Sequence, residues 1–300
     1  MNRFAGVFPP IITPFTDHGD LDVPALRAHI DFLIGAGVHG LIPAGSTGEA
    51  ISLAPEEYRE LVDVTIEHVA GRVPVFAGCS ANATRDVVAN CRLAQKAGAD
   101  GIMVTHPYYS LPDEQELYSH YQTVAASVNL PIMIYNNPFT TGVDSSPELL
   151  GRLSQCDTIQ YVKESSLDPT RIIRILDASG GRLTVFSGTD NQVLEHLVVG
   201  ATGWVAGAAN VIPGECVRLF ELARDDAHVA DAVAVYRRLY AYLTLCESSG
   251  KFVQIAKAGL ETIGRRGGVP RPPLLPLSGA LAEQVDLALD QALHSVSSAP

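Results

Sequence analysis

The chain has 300 residues, 47% of them hydrophobic, and a formal net charge of −12. This length allows one large domain or two ordinary ones, and the apolar share is enough for a full core. The negative charge and the lack of any basic run argue against a surface for nucleic acid or for anionic membranes.

Two further features predict a cytoplasmic protein without a membrane partner. Residues 1–6 carry no apolar signal region, and no stretch is long enough to span a bilayer. The cysteines are odd in number and widely spaced, which indicates small buried hydrophobes and neither a disulfide framework nor a metal site. They are Cys79, Cys91, Cys156, Cys216 and Cys246.

Apolar strand-like runs alternate with helical patterns along most of the chain. The strand-like runs cover residues 7–15, 40–45, 73–77, 101–105, 131–135, 158–163, 183–186 and 203–206. The first four helical patterns cover residues 24–34, from about 55 onward, 83–96 and 113–127. Eight strands with helices between them predict a closed (β/α)₈ barrel, the TIM barrel, over residues 1–225.

A weak internal repeat supports this count. A Gly-x-x-Gly frame begins at Gly37, Gly98 and Gly200, and each copy ends a helical pattern and opens an apolar strand. The first glycine suits a left-handed helix stop, and we expect the second to let the chain turn tightly into the strand. An open doubly wound sheet is the alternative, but no Gly-x-Gly-x-x-Gly follows the first strand.

Strand patterns stop beyond about Asp226. Residues 230–246, 252–263 and 277–293 read as helices, so residues 226–300 are predicted to form a C-terminal helical extension. This segment is too apolar to be disordered, and we expect it to pack on the barrel wall or on another subunit.

Lys163, one of only four lysines, ends the sixth predicted strand. Burial disfavours the ammonium form, and a neutral amine is a nucleophile toward a carbonyl carbon, with a Schiff base as the product. The alternative is a strand-end lysine that only reaches solvent.

Other reactive groups follow neighbouring strands, at the barrel face where catalytic residues lie. Residues 44–49 offer hydroxyls and backbone N–H groups suited to a carboxylate. Tyr135 ends the fifth strand, beside Lys163, where a phenol can act as general acid and base. A metal site built from His106, Glu164 and Asp190 is the competing hypothesis, although no local ligand spacing supports it.

Several motifs in order make the chain resemble the dihydrodipicolinate synthase and N-acetylneuraminate lyase family. The motifs are Gly45-Ser46-Thr47-Gly48-Glu49, Pro107-Tyr108-Tyr109, Tyr135-Asn136-Asn137-Pro138, Thr141-Gly142, Lys163-Glu164, Ser187-Gly188 and Ala209-Asn210-Val211. The match runs from Gly6 to about Leu277.

The resemblance implies a role for each matching residue. Lys163 would be the Schiff-base lysine and Tyr135 the proton-transfer residue. Ser46 and Thr47 would hold the carboxylate of a 2-oxo acid, and Thr47 would link Tyr135 to Tyr109. Tyr109 would reach in from a neighbouring subunit, which implies a homotetramer built as a dimer of dimers. Gly188 and Val205 fall where the family contacts its substrate.

One departure bears on the substrate. Dihydrodipicolinate synthases have an arginine two residues before the glycine that matches Gly142, and Thr140 stands there in this chain, with Phe139 before it. Threonine cannot imitate the two hydrogen bonds of an arginine to the carboxylate of the aldehyde substrate.

We therefore predict a class I lyase of the aldolase, dehydratase or deaminase type. Lys163 would bind pyruvate or another small 2-oxo acid, such as a hydroxylated or sugar-derived one, with Thr140 beside the substrate. No metal or organic cofactor is expected, because the iminium is the electron sink. Two alternatives stay open, a 4-hydroxy-tetrahydrodipicolinate synthase proper and a homologue that binds a 2-oxo acid without turnover.

Overall fold

The computed structural model describes residues 4–294. The first three residues of the predicted barrel and the last six of the predicted extension lie outside this range. Within it, a single parallel sheet has the order β1-β7-β6-β5-β4-β3-β2. Its strands are β1 (Gly6–Val7), β2 (Phe76–Gly78), β3 (Gly101–Thr105), β4 (Ile132–Asn136), β5 (Ile159–Glu164), β6 (Thr184–Ser187) and β7 (Gly203–Trp204).

The second predicted strand is reduced to two isolated bridges, so seven strands are seen in the described range where eight were expected. Ile42 bridges Pro10, and Leu41 bridges Val75, both in parallel. Prolines interrupt this part of the sheet, and proline cannot donate a ladder hydrogen bond. The bridges still join β1 to β2, and the curled sheet confirms the predicted barrel.

Helices cover the outside of this barrel. The helices in the described range are α1 (Val23–Gly35), α2 (Pro55–Val69), α3 (Thr84–Ala97), α4 (Glu114–Ala125), α5 (Pro138–Thr141), α6 (Pro147–Leu153), α7 (Thr170–Ser179), α8 (Val193–Val198), α9 (Pro213–Ala223), α10 (Val229–Ser248), α11 (Phe252–Thr262) and α12 (Ala280–Leu293). Asp22 caps α1 as its sequence predicts, by accepting a hydrogen bond from the Ala25 backbone N–H at 3.1 Å. None of these helices combines the length and apolar character needed to cross a bilayer.

The Gly-x-x-Gly repeat serves two purposes, one of which differs from expectation. Gly98 ends α3 in the left-handed region with φ of 96°, as predicted. Gly101 has no such φ, and its role is to leave space for an aromatic ring, because a Cβ there would lie 2.5 Å from the Phe76 ring. Gly40 faces Phe8 and Gly203 faces Phe186 in the same way. The second glycine therefore lets the ring of the preceding strand fill the barrel.

The barrel interior is rich in aromatic side chains. Phe8, Phe76 and Phe186 are fully buried and pack edge to face, with the ring centroids of Phe8 and Phe186 5.4 Å apart. Because successive strand residues alternate faces, Tyr161 lies inside the barrel with them, and Lys163 follows it on the same face. The strand thus directs Lys163 toward the carboxyl end of the barrel.

Candidate active site

Lys163 and Tyr135 lie side by side on neighbouring strands. The two residues are register partners between β4 and β5. Lys163 is only 6% exposed, and its Nζ lies 3.8 Å from the centre of the Tyr135 ring. Asn137 Nδ2 donates a hydrogen bond to the Tyr135 hydroxyl at 2.9 Å. The pair therefore presents an amine and an oriented phenol at one point.

Gly188 makes room for the lysine side chain. A Cβ at this position would lie 2.8 Å from Lys163 Cγ and 2.0 Å from Ser165 Oγ. The Ser165 hydroxyl donates a hydrogen bond to the Gly188 carbonyl at 2.9 Å, which holds the two strand ends together. A side chain at residue 188 would displace Lys163 or Ser165.

The loop that contains Ser46 and Thr47 is held in place by contacts with other segments of the chain. Thr13 Oγ1 donates a hydrogen bond to the Gly48 carbonyl at 2.6 Å. Glu49 adopts φ of 55° and is paired with Lys257 of α11, with Oε1 and Nζ 2.5 Å apart and both side chains 2% exposed. A buried pair of this kind holds the loop in one position, since either charge alone would be costly to bury.

One cavity of about 530 Å³ collects most of the predicted site residues. It is lined by Lys163, Tyr135, Ser46, Thr47, Gly188, Val205 and Thr140. These residues come from the carboxyl ends of several strands and from the loops that follow, as in other barrels of this kind. Phe252 and Val253 of α11 complete one wall, so the C-terminal helices contribute to the cavity.

Tyr109 is the one predicted site residue that does not reach this cavity. It follows β3 in the loop before α4 and is 86% exposed. Its predicted position in a neighbouring subunit's site stays a prediction.

Two carboxyl groups also line the cavity: Asp190, which the sequence analysis named only as a ligand of the competing metal site, and Glu247, which it did not name. Asp190 accepts hydrogen bonds from Trp204 Nε1 at 2.9 Å and from the backbone N–H of Ala208 at 2.7 Å. Glu247 of α10 accepts one from the Asp190 backbone N–H at 2.6 Å. Asp190 follows the Ser187-Gly188 motif, which was a usable signal. Nothing in the sequence around Glu247 indicated that its side chain lines the same cavity as Lys163.

Burial raises the pKa of both carboxyl groups. For Asp190 the pKa rises to about 6, although donors from Ala208 and Trp204 and the charge of Lys163 oppose the shift. For Glu247 burial and the neighbouring Asp190 charge raise the pKa to about 7. The Glu247 carboxyl therefore stays protonated to a higher pH than the Asp190 carboxyl does.

Glu164 and His106 belong to a buried network on the helix side of the sheet. Asn136 Nδ2 donates to Glu164 Oε2 at 3.1 Å, and Asn136 Oδ1 is 3.0 Å from His106 Nε2. Burial lowers the pKa of His106 to about 4, so its ring is neutral. No group of three or more His, Cys, Asp or Glu side chains between residues 4 and 294 is arranged to hold a metal ion. The network therefore holds the ends of β4 and β5 together on the side of the sheet that faces the helices.

No arginine among the described residues lines the cavity. Arg171, the nearest candidate in the sequence, is turned away and donates to Asp144 Oδ2 at 2.9 Å. It also donates to the Ser145 carbonyl. Lys163 is therefore the only cationic side chain on the described cavity wall.

A (β/α)₈ barrel with a buried lysine and a tyrosine at the carboxyl end of adjacent strands defines a class of Schiff-base enzymes. The sequence profile of the dihydrodipicolinate synthetase family matches residues 3–292. The chain belongs to this family and is a class I, pyruvate-linked lyase.

Individual relatives agree over nearly the whole length. The 4-hydroxy-tetrahydrodipicolinate synthase of Methanothrix thermoacetophila is 36% identical over 276 residues, which cover 92% of each chain. A putative dihydrodipicolinate synthetase from Pseudomonas aeruginosa has 34% identity and a TM-score of 0.93, with 96% of this chain and 99% of that one covered. YagE, a prophage protein of E. coli K12 solved in complex with pyruvate, has 33% identity and a TM-score of 0.91, with 97% and 99% covered.

Proposed function

We propose that Lys163 forms an imine with pyruvate or another small 2-oxo acid and that the enzyme breaks or forms a bond beyond the keto carbon. The observation that carries this proposal is the buried Lys163 amine, 3.8 Å from the centre of the Tyr135 ring on the cavity wall. The amine attacks C2, water leaves, and the iminium accepts the electrons of a bond that breaks at the next carbons.

The residues around this imine divide the remaining tasks. Tyr135 transfers protons, held by its hydrogen bond from Asn137. Ser46 and Thr47 bind the carboxylate of the 2-oxo acid, and Gly188 and Val205 contact the carbon chain. The iminium supplies the electron sink, so the proposal includes no metal and no organic cofactor.

The substrate tail is proposed to be neutral and hydroxylated. Thr140 and Phe139 line the cavity where related synthases have an arginine, and no other arginine of the described residues replaces it. Asp190 adds negative charge to the same cavity, and the Glu247 carboxyl adds a further hydrogen-bonding group. A second carboxylate would meet these groups without a cationic partner, whereas a hydroxyl donates hydrogen bonds to them.

The second candidate function is that of a 4-hydroxy-tetrahydrodipicolinate synthase, which condenses pyruvate with aspartate semialdehyde. The names of two curated relatives, each 36% identical to this chain, favour it. A homologue that binds a 2-oxo acid without turnover is disfavoured by the lysine and tyrosine, which stand together in the cavity.

The active form is proposed to be a cytoplasmic homotetramer. Exposed Tyr109 supports shared sites, because a partner chain would cover it and bring it to a neighbouring cavity. The five cysteines are free thiols, as expected in a reducing compartment. Sedimentation at assay concentration should give four chains, and a fully active monomer would contradict the shared site.

Borohydride reduction in the presence of pyruvate tests the imine. We expect covalent mass addition at Lys163 alone, because the other lysines lie outside the cavity. Lys163→Ala should abolish both the label and turnover, and Lys96→Ala is the matched control that should keep both. Label on Lys96, Lys251 or Lys257 in the native enzyme would refute the assignment.

A further inference from the structure

Glu247 belongs to the cavity of Lys163 although it comes from the C-terminal helices. It is the second-to-last residue of α10 and lines the cavity together with Lys163 and Tyr135. Its Oε1 accepts the Asp190 backbone N–H at 2.6 Å, and no donor within residues 4–294 is paired with Oε2. One oxygen therefore fixes the carboxyl group, and the other is available to a bound molecule.

The surroundings of Glu247 favour its protonated form. The carboxyl end of a helix carries partial negative charge, which disfavours a carboxylate there. Two charged groups face Glu247 from other elements, Asp190 after β6 and Lys163 on β5. Asp190 accepts three N–H donors, from Trp204 Nε1 and from the backbones of Gly207 and Ala208, so the donors stabilise its ionised form.

Burial and the charge of Asp190 together raise the pKa of Glu247 to about 7, against the opposing charge of Lys163. The adjacent Cys246 thiol adds no charge, because burial raises its pKa as well. A carboxylic acid with one unpaired oxygen thus lies on the wall of a cavity whose lysine forms the imine.

We propose that Glu247 is a catalytic residue, the general acid that protonates a hydroxyl group leaving C4 of a 4-hydroxy-2-oxo acid bound to Lys163. This inference rests on the proposed imine and names the reaction as a dehydration. A retro-aldol cleavage would instead require an ionised base at the C4 hydroxyl.

Lys163 forms the imine at C2 with loss of water, and a proton leaves C3 to Tyr135, which gives an enamine. The enamine electrons form the C3–C4 double bond, the C4–O bond breaks, and the Glu247 proton goes to the departing oxygen as water. Hydrolysis of the imine frees Lys163, and the proton taken from C3 passes to solvent while Glu247 takes one up.

The test uses 4,5-dihydroxy-2-oxopentanoate as the probe. Dehydration gives 2,5-dioxopentanoate after rearrangement, whereas retro-aldol cleavage gives pyruvate and glycolaldehyde, so the two products separate the reactions. Glu247→Gln keeps the size and polarity of the side chain but has no acidic proton that it could transfer. Asp231→Asn, at an exposed carboxylate on the same helix, is the matched control.

We expect native enzyme to release 2,5-dioxopentanoate with a kcat that falls as the pH rises above about 7, because Glu247 must be protonated. Glu247→Gln should lower kcat by at least about 100-fold while pyruvate is still trapped at Lys163 by borohydride. Glu247→Asp should recover part of kcat with a shifted pH limb, and Asp231→Asn should match the native enzyme.

Three outcomes would overturn the inference. Unchanged kcat and pH limb in Glu247→Gln would exclude the acid role, and loss of pyruvate trapping in that variant would indicate a structural role. Native enzyme that traps pyruvate but gives no 2,5-dioxopentanoate would exclude the dehydration. Absence of trapping in native enzyme would instead refute the proposed function itself.

Discussion

The charges on the cavity wall are unevenly distributed around Lys163. Lys163 is the only cationic side chain among the described residues that line the cavity, and in the proposed imine a bound carboxylate would compensate its charge. Asp190 and Glu247 are the two carboxyl groups that also line the cavity. At the scale of single residues, this balance favours substrates whose tail carries hydroxyl groups.

Thr140→Arg should restore part of the activity of a 4-hydroxy-tetrahydrodipicolinate synthase. An arginine fork gives two charge-assisted hydrogen bonds to the aldehyde carboxylate, each contributing on the order of 1.5–3 kcal/mol. We expect kcat/KM for pyruvate plus aspartate semialdehyde to rise at least about tenfold, measured in a coupled assay with the following reductase.

Thr140→Lys is the matched control for this variant, because it adds the charge without the planar fork and should gain less. Native enzyme as efficient as a genuine synthase would contradict the substrate proposal. It would mean that a carboxylate tail is tolerated beside Asp190 and Glu247.

At the scale of elements, strands that carry a ring pack against strands that carry a glycine. Phe8, Phe76 and Phe186 each occupy the space that a side chain would take at Gly40, Gly101 and Gly203. In each of these ring-and-glycine pairs, the two residues lie in, or next to, strands or isolated bridges that follow each other in the chain. The repeat therefore fixes how closely neighbouring strands approach and how the interior below Lys163 is filled.

Gly101→Ala should destabilise the protein by about 1–3 kcal/mol, because its Cβ would lie 2.5 Å from the Phe76 ring, which is packed edge to face against Phe4, Phe8 and Tyr161. The free energy of unfolding in urea measures this effect. Gly214→Ala in α9 is the control, since nothing lies within 4 Å of its added Cβ and alanine is the better helix former. Equal effects of the two variants would contradict the packing account.

Polar side chains of the C-terminal helices contact the barrel rim. Lys257 of α11 pairs with Glu49 next to the Ser46-Thr47 loop, and its Nζ donates to the Val269 carbonyl at 2.8 Å. Glu247 of α10 reaches the cavity itself. The division into a barrel of residues 1–225 and an extension of residues 226–300 stays a prediction, and these contacts couple the two parts.

At the scale of the whole molecule, four buried histidines make the fold sensitive to acid. Burial is the largest cause that lowers the pKa of His29, His106, His120 and His196, each to about 4. Unfolded chains bind these protons near pH 6.5, so the unfolded state gains protons first as the pH falls. The raised pKa values of Asp190 and Glu247 act in the opposite direction.

We expect the histidine contribution to stability to be complete above about pH 6.5 and to be lost as the pH falls toward about 4. His120→Gln removes one of the four groups, and the slope of unfolding free energy against pH should fall by up to about 1.4 kcal/mol per pH unit. Urea unfolding at several pH values measures the slope. Exposed His18→Gln should leave it nearly unchanged, and equal slopes in all three proteins would contradict the prediction.

The sequence by itself determined the barrel and the place of Lys163 in it. Period and spacing of apolar runs depend on local geometry, so β3 was predicted with its observed bounds, Gly101–Thr105. Lys163 and Tyr135 were predicted to be neighbours because strands that follow each other in such a barrel are paired. The first two strands were predicted too long, since several prolines remove ladder donors that a pattern of apolar residues does not reveal.

Only the tertiary structure decided what surrounds Lys163. Glu247 lies 84 positions further along the chain, and its place on the cavity wall depends on how α10 packs against the loop after β6. The orientation of Arg171 away from the cavity likewise depends on its pairing with Asp144. Such contacts join distant parts of the chain, and no periodic pattern in the sequence predicts them. The reason is that packing between elements decides which side chains meet, whereas periodicity reflects only the spacing within one element.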